Sequence, residues 1–116
     1  MKINDKLLEE KYSTTETKTN QVWIDGKPIY RKVITGAWPS SNVSNWTKVP
    51  NFEGNIRLLK VYGIQEALSG YDRNDIPRYE SSSNFVVFAE IQGALNYRLA
   101  GYTNRNFRIV VEYVKP

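Results

Sequence analysis

The carboxylates Asp72, Asp75, Glu90 and Glu112 and the rings of Trp38, Trp46 and Tyr71 are the side chains through which chemistry or recognition could run in this sequence. Two carboxylates facing each other across a cleft can cleave a glycosidic bond, one as acid and one as nucleophile or base. Asp72 and Asp75 are close in sequence, whereas Glu90 and Glu112 sit in separate apolar runs, and no spacing among the four marks a cleft. Asp72-Arg73-Asn74-Asp75 has the oxygen density of a calcium loop but lacks the central glycine and the downstream glutamate of the helix-loop-helix site, so it reads as an ordinary turn. The sequence contains no histidine and no cysteine. The commonest general base, the commonest metal ligand and the thiolate nucleophile are therefore missing, which excludes Ser-His-Asp triads, Cys-His dyads and classical zinc sites. Neither GxGxxG nor a Walker phosphate loop is present. No catalytic residue, metal or cofactor is expected, and the chain is expected not to be an enzyme.

Recognition is the alternative to catalysis. Trp38 and Trp46 fall in a long turn-rich stretch, 35–54, and Tyr71 falls in a second one, 69–75. Rings on loops stack on sugars or anchor a protein contact. Equally, such rings close the open end of a core or pack in a subunit interface. Asn42-Val43-Ser44 and Asn45-Trp46-Thr47 match the glycosylation triplet, which arises readily in a stretch so rich in Asn and Ser.

The 116 residues fit one domain. Sixteen Lys and Arg against twelve Asp and Glu give a formal net charge of +4. The longest basic run is Arg31-Lys32, so the cations are dispersed and no nucleic-acid footprint is expected. No stretch approaches the roughly 20 apolar residues of a membrane span, and the first residues have no apolar core of signal-peptide length. Membrane insertion is not expected.

The pattern that would position these side chains is β throughout, apart from residues 1–11. There Ile3, Leu7 and Leu8 share one helical face among charges, in a segment shorter than the roughly 12–15 residues an isolated helix needs. This segment is either a frayed tail or an attachment and oligomerisation arm ahead of a domain over 12–116. Residues 21–34 give the clearest local signal, two β-branched and aromatic runs flanking Asp25-Gly26, a dipeptide suited to a tight hairpin turn. Pro28 fits the turn exit, since it cannot donate to a central ladder. Residues 55–68 read as a strand with a possible bulge at Gly63, and 76–79 as a short strand. Residues 84–92, 95–101 and 107–114 read as three more. The last alternates Phe107, Ile109, Val111 and Tyr113 on one face, as a half-buried strand does. Seven or eight short strands with frequent polar turns predict an all-β antiparallel sandwich, jelly-roll-like.

Tyr12-Ser13-Thr14-Thr15-Glu16, then Val22-Trp23-Ile24-Asp25-Gly26-Lys27-Pro28-Ile29-Tyr30-Arg31-Lys32, then Val111-Glu112-Tyr113-Val114-Lys115 resemble a β-domain found at the C-terminus of bacteriophage tail-fibre, baseplate and head-fibre proteins. A penultimate strand containing a tyrosine, here Tyr97, is similar too. The resemblance spans about 12–115, but only its two ends are specific, and 39–82 is where members would differ. It implies a hairpin built on Trp23, Asp25, Gly26, Pro28 and Tyr30. It also implies a compact domain that assembles on the virion, typically as a homotrimer, with other phage structural proteins as partners, after synthesis in the host cytoplasm. Here the module is nearly the whole sequence and ends Val114-Lys115-Pro116 rather than in threonines. That shifts the expectation from fibre tip toward a small separate component, such as a head fibre, decoration protein or tail accessory, with 1–11 as its attachment segment. The competing expectation is an adhesin that binds host-surface glycan through Trp38, Trp46 and Tyr71.

Overall fold

The computed structural model describes residues 12–70 and 72–116. The arm with Ile3, Leu7 and Leu8 lies outside the described residues, and so does Tyr71. The described residues form nine strands, in order β1 (Thr17–Val22), β2 (Pro28–Ala37), β3 (Val43–Lys48), β4 (Arg57–Ala67), β5 (Arg73–Ile76), β6 (Arg78–Ser81), β7 (Asn84–Ile91), β8 (Ala94–Ala100) and β9 (Arg105–Val114). They form two antiparallel sheets, β1-β2-β9-β4-β5 and β3-β8-β7-β6, packed as a sandwich. The chain changes sheet at β2–β3, β3–β4, β5–β6 and β8–β9, which is the jelly-roll-like part of the winding. β4–β5 and β6–β7–β8 are local hairpins.

The strand count exceeds the expected seven or eight for two reasons. The stretch 35–54 contains the end of β2 and all of β3. Its polar residues stay extended because β9 and β8 supply ladder partners, Thr35 opposite Arg108 and Lys48 opposite Asn96. Tertiary pairing overrides weak local propensity there. The short strand expected over 76–79 is instead two strands that meet at Pro77, where the chain crosses from β5 to β6 and so from one sheet to the other.

β9 is the keel of the fold, paired with β2 on one side and β4 on the other. Its alternation does what the sequence predicted: Phe107, Ile109, Val111 and Tyr113 are each no more than 2% exposed. Its neighbours make room for it. Gly36 lies opposite Phe107, and a Cβ there would sit 2.8 Å from the ring's Cζ, so the glycine admits the ring. Gly63 is in register opposite Ile109, and a Cβ there would run into the Arg108 carbonyl. The bulge of β4 lies between Leu58 and Lys60 instead of at Gly63.

Trp38, at the exit of β2, is the ring that joins the sheets. It stacks on Phe107 of one sheet at 4.0 Å and on Tyr97 of the other at 4.6 Å. Its Nε1–H donates to the Gln65 Oε1 at 2.9 Å, which satisfies the indole in a dry interior.

Candidate functional site

The four carboxylates considered for catalysis do not converge. Glu112 Oε2 accepts from Arg31 Nε at 2.8 Å across the β2–β9 ladder. Glu90 Oε1 accepts the Leu58 amide at 2.8 Å. Asp72 pairs with Arg105 Nη2 at 3.0 Å, and Asp75 stands on β5 opposite Ile64. Among the described residues no three carboxylates gather as a metal site would require. Among them too, no helix is long and apolar enough to cross a membrane.

The aromatic set is not brought together either. Trp38 was expected in a loop as a stacking platform or as a core cap; it is 2% exposed and wholly engaged in the core, so it cannot meet a ligand. β2 runs to Ala37, which places residue 38, the first of the β2–β3 connection, at the mouth of the sandwich, where its ring fills the core. Trp46 does remain accessible, 41% exposed on the outer side of β3, with the Arg98 guanidinium 5.6 Å from its ring centre.

The hairpin motif is built as its residues dictate. The Trp23 amide donates to the Lys27 carbonyl, and the Gly26 amide to the Trp23 carbonyl, both at 2.9 Å. Gly26 has φ +84°, so the loop is a three-residue turn closed by a left-handed glycine, rather than a two-residue one. Asp25 Oδ1 accepts the Lys27 amide at 3.0 Å and stiffens the loop. Pro28 stands opposite Val22, outside the β2–β9 ladder that begins at Tyr30, where its missing donor costs nothing. The motif therefore divides. Tyr30 turns inward and stacks on Tyr113 at 6.1 Å. Val22, Trp23 and Ile24 point away from the sandwich, and Ile24 is 92% exposed.

Beside this tip the segment ahead of β1 straps the sandwich. The Ser13 carbonyl accepts the Val33 amide at 2.8 Å, and the Tyr12 ring lies 4.7 Å from the Arg31 guanidinium. Glu16 accepts from the Tyr113 hydroxyl and, at 2.8 Å, from Lys115 Nζ. Burial pushes the Glu16 carboxyl up, but the hydrogen bonds from Lys115 and Tyr113 and the charges of Lys115 and Lys32 outweigh it and hold the group below the usual carboxylate range. Burial, with a hydrogen bond to Tyr12 and the charge of Glu112, pushes the Tyr62 hydroxyl up to about 12.

Sequence reasoning missed three residues on the outside of the four-stranded sheet: Tyr79, Phe85 and Arg98, which continue the row begun by Trp46. Strand alternation marks each as outward or inward once its register is known, but nothing local says that they are neighbours. The arrangement as a whole offers noncovalent recognition: an apolar tip and an aromatic row. No protein-family model, no curated protein and no solved structure matches the chain.

Proposed function

We propose that the chain is a non-catalytic structural component of a bacteriophage particle, a small fibre-tip, head-fibre or tail accessory domain that self-associates as a trimer on the virion beside other phage structural proteins. The observation that carries self-association is the β1–β2 tip. Val22, Trp23 and Ile24 are 65%, 41% and 92% exposed in a loop held by its own hydrogen bonds. Consecutive apolar side chains on a rigid tip suit a contact surface, because little conformational freedom is lost when they are covered. The sheet edges suit it less. β1, β3 and β6 carry register shifts, and β5 and β6 have only four residues each, features that blunt an edge against further pairing. The phage reading is supported by the resemblance of 12–16, 22–32 and 111–115 to the fibre module, which includes this hairpin.

Light scattering coupled to size exclusion tests the association. The wild-type chain is expected at three chain masses, and a Trp23→Ser, Ile24→Ser variant at one mass with an unchanged circular dichroism spectrum. A wild-type monomer at every accessible concentration overturns self-association, and a trimer that survives the double substitution removes the tip from the contact. Peptide mass spectrometry of purified particles tests the virion assignment; the chain present in infected cells but absent from intact particles would sink it.

A further inference from the structure

The outer side of the sheet β3-β8-β7-β6 carries one continuous row with a member from every strand. The Arg98 guanidinium of β8 lies 5.6 Å from the Trp46 ring centre of β3 and 5.5 Å from the Phe85 ring centre of β7. Phe85 in turn stacks on Tyr79 of β6 at 5.6 Å, with the planes 21° apart. Neighbouring strands lie about 4.8 Å apart, so the row spans roughly 14 Å from edge to edge. Its ends are open: Trp46 is 41% and Tyr79 66% exposed, while Phe85 between them is 7% exposed.

Two features say what this row accepts. First, Arg98 is held before any ligand arrives. Its Nε donates to the Ser44 carbonyl at 2.9 Å, and rings flank it on both sides, so its planar fork meets a carboxylate or phosphate with little rotamer freedom left to lose. Second, the charge on this face is one-sided. Lys48 stands opposite Asn96, two positions before Arg98 and on the same side of the sheet. Of the carboxylates on these four strands, Glu80 and Glu90 alternate to the opposite side, where they take Arg78 Nε and the Leu58 amide. Two cations without a facing carboxylate among the described residues match an anion. Two are too few to track a nucleic-acid backbone, whose affinity grows with each phosphate neutralised.

We propose that this face binds an acidic glycan, a chain of sugar rings bearing carboxylate or phosphate groups. The apolar faces of the sugars lie against Trp46 and Tyr79, and an acidic group pairs with Arg98 and Lys48 between and beside them. The row accommodates a short oligosaccharide rather than a single sugar. This reading does not depend on self-association through the β1–β2 tip, which lies on the other sheet.

Affinity electrophoresis of the full chain through gels containing polygalacturonate, alginate, hyaluronan or teichoic acid tests it, with amylose and glucomannan as neutral controls. At least one acidic polymer is expected to retard the wild-type chain, and added salt should weaken the retardation. Arg98→Gln and Tyr79→Ser should each weaken it about tenfold or more, whereas Lys60→Gln, which removes an exposed cation from the other sheet, should leave it unchanged. Arg98→Lys checks the geometry: it keeps the charge and the packing of the stem, and is expected to recover less than half of the lost retardation. Retardation by none of the acidic polymers overturns the proposal, as does equal retardation of wild type and Arg98→Gln. Loss of the trimer in Trp46→Ala or Tyr79→Ser would assign the face to a second copy of the chain and overturn it equally.

Discussion

The two outer faces of the sandwich handle positive charge in opposite ways. On the β1-β2-β9-β4-β5 face Arg31 pairs with Glu112 at 2.8 Å and Arg108 with Glu66 at 3.5 Å, while Lys60 lies over the Tyr62 ring. The first pair is nearly buried, with side chains 6% and 17% exposed, and the Tyr12 ring lies over its guanidinium. On the other face Arg98 has rings on either side and, among the described residues, no carboxylate. One face pairs its arginines with carboxylates, and the other keeps Arg98 between the accessible Trp46 ring and the buried Phe85 ring. A paired charge under an aromatic lid serves cohesion, whereas a stacked charge without a counter-ion is available to a ligand.

Breaking the paired face should cost most. Glu112→Ala takes the carboxylate away from a nearly buried guanidinium, and about 2–5 kcal/mol of stability should be lost in urea unfolding. On the open face Arg98→Gln and Tyr79→Ser remove partly exposed contacts worth about 0.5–1.5 kcal/mol each. Equal losses on the two faces would erase the contrast and make the aromatic row a structural brace.

A smaller effect comes from pH, and it sharpens the comparison because both groups belong to the strapped face. The folded Glu16 carboxyl lies below its ordinary value of 4.5, so its ionised form favours the fold. That contribution is complete above 4.5 and is lost as pH falls through the folded value. Glu16→Gln should flatten the acid limb of a melting-temperature profile. Tyr62 has the reverse sign. Its hydroxyl rises to about 12, so the neutral form favours the fold; the contribution is complete below 10 and is lost as pH climbs through 12. Tyr62→Phe should flatten the alkaline limb, and no change in either limb would detach the strap from the fold's stability.

Much of this was legible in the residues themselves. Asp25-Gly26 announced a turn because glycine tolerates the positive φ at that place, and the structure uses it, with one more residue in the loop than expected. The alternation Phe107, Ile109, Val111, Tyr113 announced an inner face, which it is. The candidate rings fared worse. Trp38 and Trp46 are eight residues apart in one polar stretch and look alike in sequence. One is the brick between two sheets, and the other stands on an edge strand at the surface. No local property separates them, since the difference is set by where β2 ends and which sheet β3 joins.

By itself, then, the sequence determined a sandwich of short antiparallel strands, the hairpin, the inner side of the last strand, and a side-chain inventory without imidazole or thiol. These follow from short-range physics: turn dihedrals, a two-residue side-chain period and what each side chain can donate or accept. The tertiary structure alone decided which cations are neutralised and which rings are neighbours. β9 lies between β2 and β4, and β8 between β3 and β7, so Arg31 meets Glu112 from 81 residues away and Trp46 meets Arg98 from across a ladder with a register shift. Such contacts depend on strand order and register, which side-chain burial across the whole sandwich selects and no local stretch of residues encodes.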